Sequence, residues 1–306
     1  MNIVLAAEES AGLQMLRSLA GSKHRVVSVF AAPPKDGATA SVWNVGTNLG
    51  LETRPAKQLK EAVLGEWLRA EQVDIFLNIH SLYLIHPNVL AAPRLGAFNL
   101  HPGPLPRYAG LNAVSWAIFR GEQEHAVTVH RMDPEIDAGP IVYQTRFPIE
   151  AGDTALSLSF KCVREGVALM QRLLETADRG DELPLSPQDL AVREYFGREV
   201  PEQGQLSWSW PASKVVNFVR ACDYFPFTSP WGHPRTRRGA QEFALVKASR
   251  TGQPCGVAPG TVGDSMDSGI QVACGDEWVL ASKLQVSGTY LPAAGFLRPG
   301  DRLASS

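Results

Sequence analysis

The sequence predicts an α/β protein with a parallel sheet, followed by a small all-β domain. Short apolar runs alternate with amphipathic helical stretches up to about residue 180, and short strands separated by glycine and proline occupy the chain beyond residue 204. With 306 residues, of which 44% are hydrophobic, the chain is long enough for two domains that each bury a core.

The predicted sheet begins with residues 2–7, a nearly all-apolar run typical of a strand buried on both faces. Further strands are predicted over residues 25–31 and 74–79, because both are apolar and bounded by polar or turn-forming residues. Since strands that alternate with helices pack as right-handed βαβ units, we expect these strands to be parallel. Three helices are predicted: one that begins at Ser10, one over residues 41–49 and one over residues 62–71.

Composition divides the chain into three parts. An apolar stripe at alternating spacings of three and four predicts one long helix from about residue 153 that covers a sheet face. Gly, Pro and many charges give residues 181–203 the composition of a linker. We therefore assign residues 1–180 to a first domain and residues 204–306 to a second. The strands predicted in the second domain are residues 243–248, 260–262, 270–274, 279–284 and 296–303.

The charge balance argues against nucleic acid as a partner. The formal net charge is −2, and residues 201–306 carry ten Lys or Arg against eight Asp or Glu. Proteins that bind nucleic acid usually display a marked basic surface. Three nearby arginines, Arg235, Arg237 and Arg238, form one basic cluster, but neighbouring acids dilute it. We therefore expect no binding to nucleic acid.

Cysteine usage and the N-terminus indicate a cytoplasmic protein. The four cysteines include no C-x-x-C pair and no zinc-type spacing, so we expect buried thiols in a reducing compartment and no metal. Glu8 and Glu9 follow the first residues too early for a signal peptide. No apolar run approaches membrane-spanning length, so we expect no membrane partner. The sequence leaves the oligomeric state open.

Polar side chains end one of the predicted strands. An apolar run closes with Asn99 and His101, and Pro102 follows at once and must stop the strand. Alternation along a strand places Asn99 and His101 on the same face. The carboxyl edge of an open α/β sheet is where such proteins bind ligands, so the pair is a candidate catalytic edge.

A turn about thirty residues later supplies the acid that such an edge needs. The predicted strand over residues 126–132 leads into Asp133, Glu135 and Asp137. We expect a carboxylate of this turn to reach back to His101. The two segments together supply a hydrogen-bond donor, a titratable base and an orienting acid.

These motifs resemble those of the folate-dependent formyltransferases, which include glycinamide ribonucleotide, methionyl-tRNA and sugar-nucleotide N-formyltransferases. Segments near residues 259–262, 269–275 and 284–288 also look like the C-terminal barrel of the methionyl-tRNA and sugar enzymes. The resemblance covers nearly the whole chain and implies a Rossmann-like catalytic domain followed by an OB-like β-barrel. The motifs that carry it in the first domain are Asn99-x-His101-Pro102, Pro104-Leu105-Pro106 with Gly110, and Ile136-Asp137-Ala138-Gly139-Pro140.

The resemblance implies an N-formyltransferase that takes its formyl group from 10-formyltetrahydrofolate and needs no metal, because the folate carries the activated carbon. Asn99 would then donate an N–H to the developing oxyanion, a role worth roughly 3–4 kcal/mol in acyl-transfer enzymes. His101 would stabilise the same charge when protonated, or remove the amine proton when neutral. Asp137 would orient His101 or relay a proton. We interpret His130 as a satisfied core histidine, although some family members have a counterpart.

The resemblance also implies which residues hold the folate. The segment that precedes Asn99 lines the pterin pocket in this family, through main-chain groups and apolar side chains. The donor-binding residues expected on this basis are Tyr83, Leu84, Ile85, Asp133, Glu135 and Ile136.

The residues after the first strand differ from a phosphate-binding motif, and this difference excludes some substrates. The first strand is followed by Glu8 and Glu9 and by no G-x-G-x-x-G motif. Because a carboxylate there would repel a phosphate, both NAD and glycinamide ribonucleotide are disfavoured. The two acids either face a cationic or hydroxyl-bearing part of the acceptor or simply lie in solvent.

The acceptor amine is the open question. We favour a small-molecule or carrier-bound amine, such as an amino sugar nucleotide or an amino acid of a natural-product or siderophore pathway. The alternatives are a methionyl-tRNA formyltransferase and a 10-formyltetrahydrofolate hydrolase. A folate-binding protein without turnover is disfavoured, because all three catalytic residue types are present.

Overall fold

The computed structural model describes residues 1–34, 41–81 and 83–304. It forms two compact units built from interleaved segments of the chain: residues 1–110, 126–147 and 160–195 in the first, and residues 111–125, 148–159 and 196–306 in the second. The domain bounds predicted from the sequence, 1–180, 181–203 and 204–306, refer to parts of the chain that fold independently. Because two compact units need not fold independently, these bounds stay a prediction.

Strands and helices alternate over the first half of the described chain, as expected. The α-helices are α1 (Glu9–Ala20), α2 (Val42–Asn48), α3 (Leu64–Ala70), α4 (Pro87–Leu90), α5 (Ala113–Arg120), α6 (Ala155–Asp178) and α7 (Ala212–Ala221). The strands are β1 (Asn2–Ala7), β2 (Arg25–Ala31), β3 (Thr53–Pro55), β4 (Ile75–Ile79), β5 (Gly96–His101), β6 (Ala109–Gly110), β7 (Glu124–Arg131), β8 (Ile141–Pro148), β9 (Tyr195–Phe196), β10 (Arg235–Arg238), β11 (Gln241–Pro254), β12 (Val262–Met266), β13 (Gly269–Ala273), β14 (Glu277–Val286), β15 (Thr289–Pro292) and β16 (Leu303–Ala304).

The first unit is built on a sheet with strand order β3-β2-β1-β4-β5-β7-β8. β1 pairs in parallel with both β2 and β4, β2 pairs in parallel with β3, and β4 pairs in parallel with β5. β5 and β7 are antiparallel. The expected parallel-rich sheet is therefore confirmed. The strand order reverses between β1 and β4, and sheets of this type bind ligands in the crevice outside the carboxyl ends of such a pair.

Both faces of this sheet are covered, which explains why its strands are almost wholly apolar. On one face, Phe30, Phe76, Leu59 and Val89 belong to one buried cluster. On another, the long helix α6 runs very close to the strands: a Cβ added at Gly166 would lie 2.7 Å from a methyl carbon of Leu100. The helix predicted from about residue 153 thus begins at Ala155, and a glycine permits its close approach to β5.

The second unit contains an antiparallel sheet with order β12-β13-β14-β11-β10-β16, and β15 pairs with β14. α7 packs against this sheet through apolar residues such as Val215 and Val219. The strand expected over residues 296–303 was wrong in extent, because the last strand is only Leu303–Ala304. Pro299 and Gly300, whose φ is 89°, form a turn there, and Leu297 enters the core without belonging to a strand.

In the described part of the chain, no helix combines the length and the apolar character that crossing a membrane requires.

Candidate active site

Three neighbouring strands place polar side chains in one row across the first sheet. Asn78 on β4 is paired with Asn99 on β5, and Asn99 is paired with His130 on β7. The Asn78 amide nitrogen donates to Asn99 Oδ1 over 2.8 Å. Asn99 Nδ2 lies 3.0 Å from His130 Nε2. Backbone pairing therefore sets the spacing of all three groups, and we call them the Asn78–Asn99–His130 row.

The Asp137 loop, residues 133–140, brings a carboxylate to this row. Asp137 has a backbone φ of 55°, a left-handed conformation that is uncommon for a non-glycine residue. Gly139 lies so close to β7 that an added Cβ would be 1.9 Å from the carbonyl oxygen of Arg131. Because any side chain would collide there, Gly139 allows the loop to fold back onto the strand end.

The Asp137 carboxylate joins the two ends of the site. Its Oδ1 lies 3.4 Å from Asn99 Nδ2 and 3.4 Å from His130 Nε2. Its Oδ2 accepts a hydrogen bond from the Gly110 backbone N–H over 2.8 Å and lies 3.4 Å from His101 Nδ1. The carboxylate that reaches His101 is thus that of Asp137, and it contacts Asn99 as well.

The geometry fixes which nitrogen of His101 takes a proton. Nε2 lies 2.7 Å from the carbonyl oxygen of Tyr108, and because a carbonyl only accepts, Nε2 carries hydrogen. Complete burial lowers the pKa of His101, and the Asp137 carboxylate and the Tyr108 carbonyl offset that shift only in part. At neutral pH the ring is therefore neutral, and its lone pair is on Nδ1, toward Asp137.

Asp137 is ionised at neutral pH. Burial by itself would raise the pKa of this carboxyl group. The neighbouring His101 and His130 rings and the Gly110 N–H outweigh burial, and together they hold the pKa of Asp137 well below its usual range. A neutral histidine and an ionised carboxylate therefore face each other across 3.4 Å.

The loop after β5 holds the Tyr108 carbonyl in place. The Thr128 hydroxyl, on β7 opposite His101, donates to the Gly103 carbonyl over 2.6 Å. The Gln144 amide on β8 donates to the Leu105 carbonyl over 3.1 Å and to Thr128 over 2.9 Å. Side chains of two strands thus fix the loop that accepts the His101 hydrogen.

The chain matches one known family over most of its length. Residues 2–174 match the family model described as formyl transferase, and residues 200–298 match that of the formyl transferase C-terminal domain. The chain belongs to the formyltransferase family. The resemblance seen in the sequence motifs is thereby confirmed, and Asn99, His101 and Asp137 all lie within the first match.

Three solved structures share the fold over almost the whole chain. WlaRD, a sugar 3N-formyltransferase crystallised with dTDP and 5-N-formyl-THF, has a TM-score of 0.72 at 18% identity, covering 92% of this chain and 97% of its own. An N-formyltransferase from Helicobacter canadensis, in complex with folinic acid and dTDP-3-aminofucose, has a TM-score of 0.68 at 18% identity, with coverages of 91% and 98%. HypX from Aquifex aeolicus with tetrahydrofolic acid has a TM-score of 0.66 at 21% identity, covering 96% of this chain but 46% of HypX.

The two predicted donor-binding segments of this formyltransferase, residues 83–85 and 133–136, begin beside the same hydrophobic cluster. Tyr83 and Ile85 pack against the cluster on one sheet face, and so does Met132, which directly precedes Asp133. Leu84 points outward and is 64% exposed. The two segments therefore begin on the same side of the sheet.

The remaining donor-binding candidates lie on the outer part of the Asp137 loop. The side chains of Asp133, Glu135 and Ile136 are partly or largely exposed. Glu135 Oε1 lies 3.7 Å from an Arg193 nitrogen, and the Ile136 carbonyl accepts from Arg193 over 2.8 Å. Their binding of folate stays a prediction.

Two residues contact the site in ways that do not follow from the sequence. His130 is buried, as interpreted, but it also contacts Asn99 and Asp137. Gln188, inside the predicted linker, donates to the carbonyl oxygens of Asp137 over 2.9 Å and Gly139 over 2.6 Å. A lone polar residue within an apolar strand was the available signal for His130. No local signal marked Gln188, because its partners lie about fifty positions away.

The crevice at the strand-order reversal carries a different pair. Glu9 begins α1 just after β1, and His80 directly follows β4; both have left-handed φ values, of 58° and 59°. His80 Nδ1 lies 3.3 Å from Glu9 Oε2. Glu8 turns away, since its carboxylate accepts from the Ala32 backbone N–H. Of the two acids, Glu9 is therefore the one next to His80.

Proposed function

We propose that this formyltransferase moves the formyl group of 10-formyltetrahydrofolate to an amine of a small-molecule or carrier-bound acceptor. The observation that carries the proposal is the contact of one largely buried carboxylate, Asp137, with Asn99, His101 and His130. Formyl transfer to an amine needs a donor for the negative charge that develops on the formyl oxygen, and a base for the amine proton. The cluster supplies both.

Asn99 is the donor in this proposal. One Nδ2 hydrogen is held by His130 over 3.0 Å, and the other is directed at Asp137 over a longer 3.4 Å. The long contact is the weaker one, so its hydrogen is the one that turns to the formyl oxygen. The charge it stabilises would otherwise develop without a fixed partner.

His101 and Asp137 act together on the proton in this proposal. As the acceptor nitrogen bonds to the formyl carbon, its proton passes to Nδ1 of the neutral His101 ring, which lies 3.4 Å from the Asp137 carboxylate. The ring later gives this proton to the folate nitrogen, which leaves with the electron pair of the broken bond to the formyl carbon. Once protonated, the ring forms an ion pair with Asp137 and keeps its Nε2 hydrogen bond to Tyr108. Asp137 therefore stabilises the charged form that the reaction creates.

The folate supplies the activated formyl carbon when it is bound. Residues 83–85 lie outside helices and strands, so their main-chain groups can meet the edge of a heterocycle. The nearby Ser81 hydroxyl is buried and has no hydrogen-bond partner in the described part of the chain. A polar ring with several donors and acceptors fits such a surface. The folate compounds in the relatives' structures support this donor.

An amino sugar nucleotide or an amino acid of a natural-product pathway is the acceptor we propose. The dTDP compounds bound by two of the similar structures support a small-molecule acceptor. The Glu9–His80 pair at the crevice suits an acceptor that offers hydroxyl or ammonium groups there, and it disfavours a phosphate at that point.

We also propose that the second unit is an OB-like barrel. A bridge joins Thr261 and Arg302, the residues that directly precede β12 and β16 at the two ends of the strand order. The Val262 N–H donates to the Asp301 carbonyl over 2.9 Å beside that bridge. These contacts support closure of the strand order into a ring.

The proposal is tested by incubating the protein with 10-formyltetrahydrofolate and three separate pools: nucleotide amino sugars, amino acids and initiator methionyl-tRNA. Mass spectrometry should show the mass of one CO added to a member of the first or second pool. Asn99→Ala is the control and should abolish the product. Formylation of the tRNA pool alone would establish a different acceptor, and formate release with no formylated pool would establish hydrolysis.

A further inference from the structure

The Asn78–Asn99–His130 row contains one residue that has no direct role in the proposed chemistry. Asn78 lies on β4, with 6% of its surface exposed, and its amide nitrogen donates to Asn99 Oδ1 over 2.8 Å. We propose that Asn78 is a positioning residue that fixes the orientation of the Asn99 amide. This inference rests on the proposed role of Asn99 as the oxyanion donor.

The hydrogen bonds of the row all run in one direction. At its far end, His130 Nδ1 lies 2.9 Å from the Arg131 carbonyl oxygen, which only accepts, so Nδ1 carries hydrogen. In the neutral ring Nε2 is therefore the acceptor, and it takes a hydrogen from Asn99 Nδ2. The oxygen of Asn99 then points toward β4, where Asn78 donates to it.

A side-chain amide has two orientations that exchange its oxygen and its NH₂ group. In the reversed orientation, Asn99 Oδ1 would lie against the Nε2 lone pair of His130 and beside the ionised Asp137 carboxylate. No Asn99 N–H would then be directed into the site. The NH₂ of Asn78 and the acceptors on the other side both disfavour that reversal, so the donor of Asn99 is oriented before substrate binds.

Asn78 can hold this position because its own amide is anchored. Its Nδ2 also lies 3.4 Å from the Ser81 carbonyl oxygen, just beyond the end of β4. The parallel pairing of Asn78 with Asn99 fixes the distance between the two side chains. Because the group is buried, water does not readily replace a lost donor at this point.

The test uses Asn78→Leu, which removes the donor at similar size, and Asn78→Asp, which accepts but cannot donate while it is ionised. Both should lower kcat by about tenfold to a hundredfold, while the KM values for both substrates stay within about threefold.

A pH profile separates positioning from a structural role. A protonated carboxyl group can donate to Asn99 Oδ1, so the kcat of Asn78→Asp relative to wild type should rise as the pH falls. Ser28→Ala is the matched control. It removes a hydrogen bond from a buried side chain of the same sheet, between the Ser28 hydroxyl and the Glu52 carbonyl, and should leave kcat unchanged.

Wild-type kcat in Asn78→Leu, with Asn99→Ala inactive, would overturn the inference and leave the proposed function intact. Activity retained in Asn99→Ala would instead contradict the proposed role of Asn99. If Asn78→Leu does not fold, the pH profile of Asn78→Asp decides alone: a constant ratio to wild type would refute positioning.

Discussion

The groups of the active site are supported in two ways. Asn78, Asn99 and His130 lie on paired strands, and the ladder of backbone hydrogen bonds sets their spacing. Asp137 lies on a loop with a left-handed φ, and single side chains tie that loop down. The strand-borne groups are therefore positioned by many cooperative bonds, whereas the loop-borne acid depends on a few.

This difference shows which catalytic group a substitution can displace more easily. A strand residue moves only if its sheet deforms, and this sheet is buried on both faces. The Asp137 loop moves if one tie is lost, and catalytic groups must be held to within a fraction of an ångström. Substitutions far from the reacting atoms should therefore act mainly through the loop.

The largest expected effect comes from removing the base, His101 on a strand, or the acid, Asp137 on its loop. His101→Ala and Asp137→Ala should each lower kcat by about a hundredfold or more, because charge stabilisation and proton transfer are both lost. Steady-state kinetics with circular dichroism measures this. His24→Ala is the control, since His24 pairs with Asp178 in the same unit and should be silent. A near-wild-type rate in either folded variant would remove that residue from the mechanism.

A smaller effect should follow from untying the loop. Gln188→Ala removes both hydrogen bonds to the Asp137 and Gly139 carbonyls, so we expect kcat to fall about tenfold through misplacement of the acid. Hydrogen exchange should also rise over residues 133–140. Gln171→Ala, which loses only an exposed hydrogen bond to Ser18, is the matched control. Unchanged exchange in the loop would show that Gln188 is not what holds it.

The smallest expected effect is on the titration of His101. Because burial lowers its pKa, the ring should titrate below its ordinary value of about 6.5 in histidine NMR. Asp137→Asn should lower that pKa further, since the carboxylate stabilises the imidazolium. The unfolded chain binds this proton more readily than the folded one, so the free energy of unfolding should fall as the pH drops below about 6.5. A His101 pKa above 6.5 would contradict the assigned neutral ring.

The elements of the sheet could largely be predicted from sequence, because their signals are local. The all-apolar run of β1 and the three-four spacing of α6 each identify an element without reference to any partner. The short strand β3 was missed, since three residues carry too little periodicity. The strand predicted over residues 296–303 forms only at Leu303–Ala304, because an apolar residue such as Leu297 enters the core without belonging to a strand.

The site residues that could be predicted from sequence are those whose contacts lie close together along the chain. Asn99 and His101 share one strand end, so alternation and a following proline indicate both. His130 meets Asn99 only through the antiparallel register of β5 and β7, which the sequence does not contain. Gln188 lies in a stretch whose composition is that of a linker, yet it bonds to the acid loop. Long-range pairing is the part that composition and spacing leave undetermined.

The interleaving of the two units has a consequence for synthesis of the protein. Phe119 on α5 packs edge-on against Phe218 on α7, with ring centroids 5.1 Å apart, and both belong to the second unit. A ribosome adds about 5–20 residues per second, so α5 leaves the exit tunnel several seconds before α7 exists. During that interval the nascent chain carries an aromatic surface whose partner has not been translated, and chaperones bind surfaces of this kind.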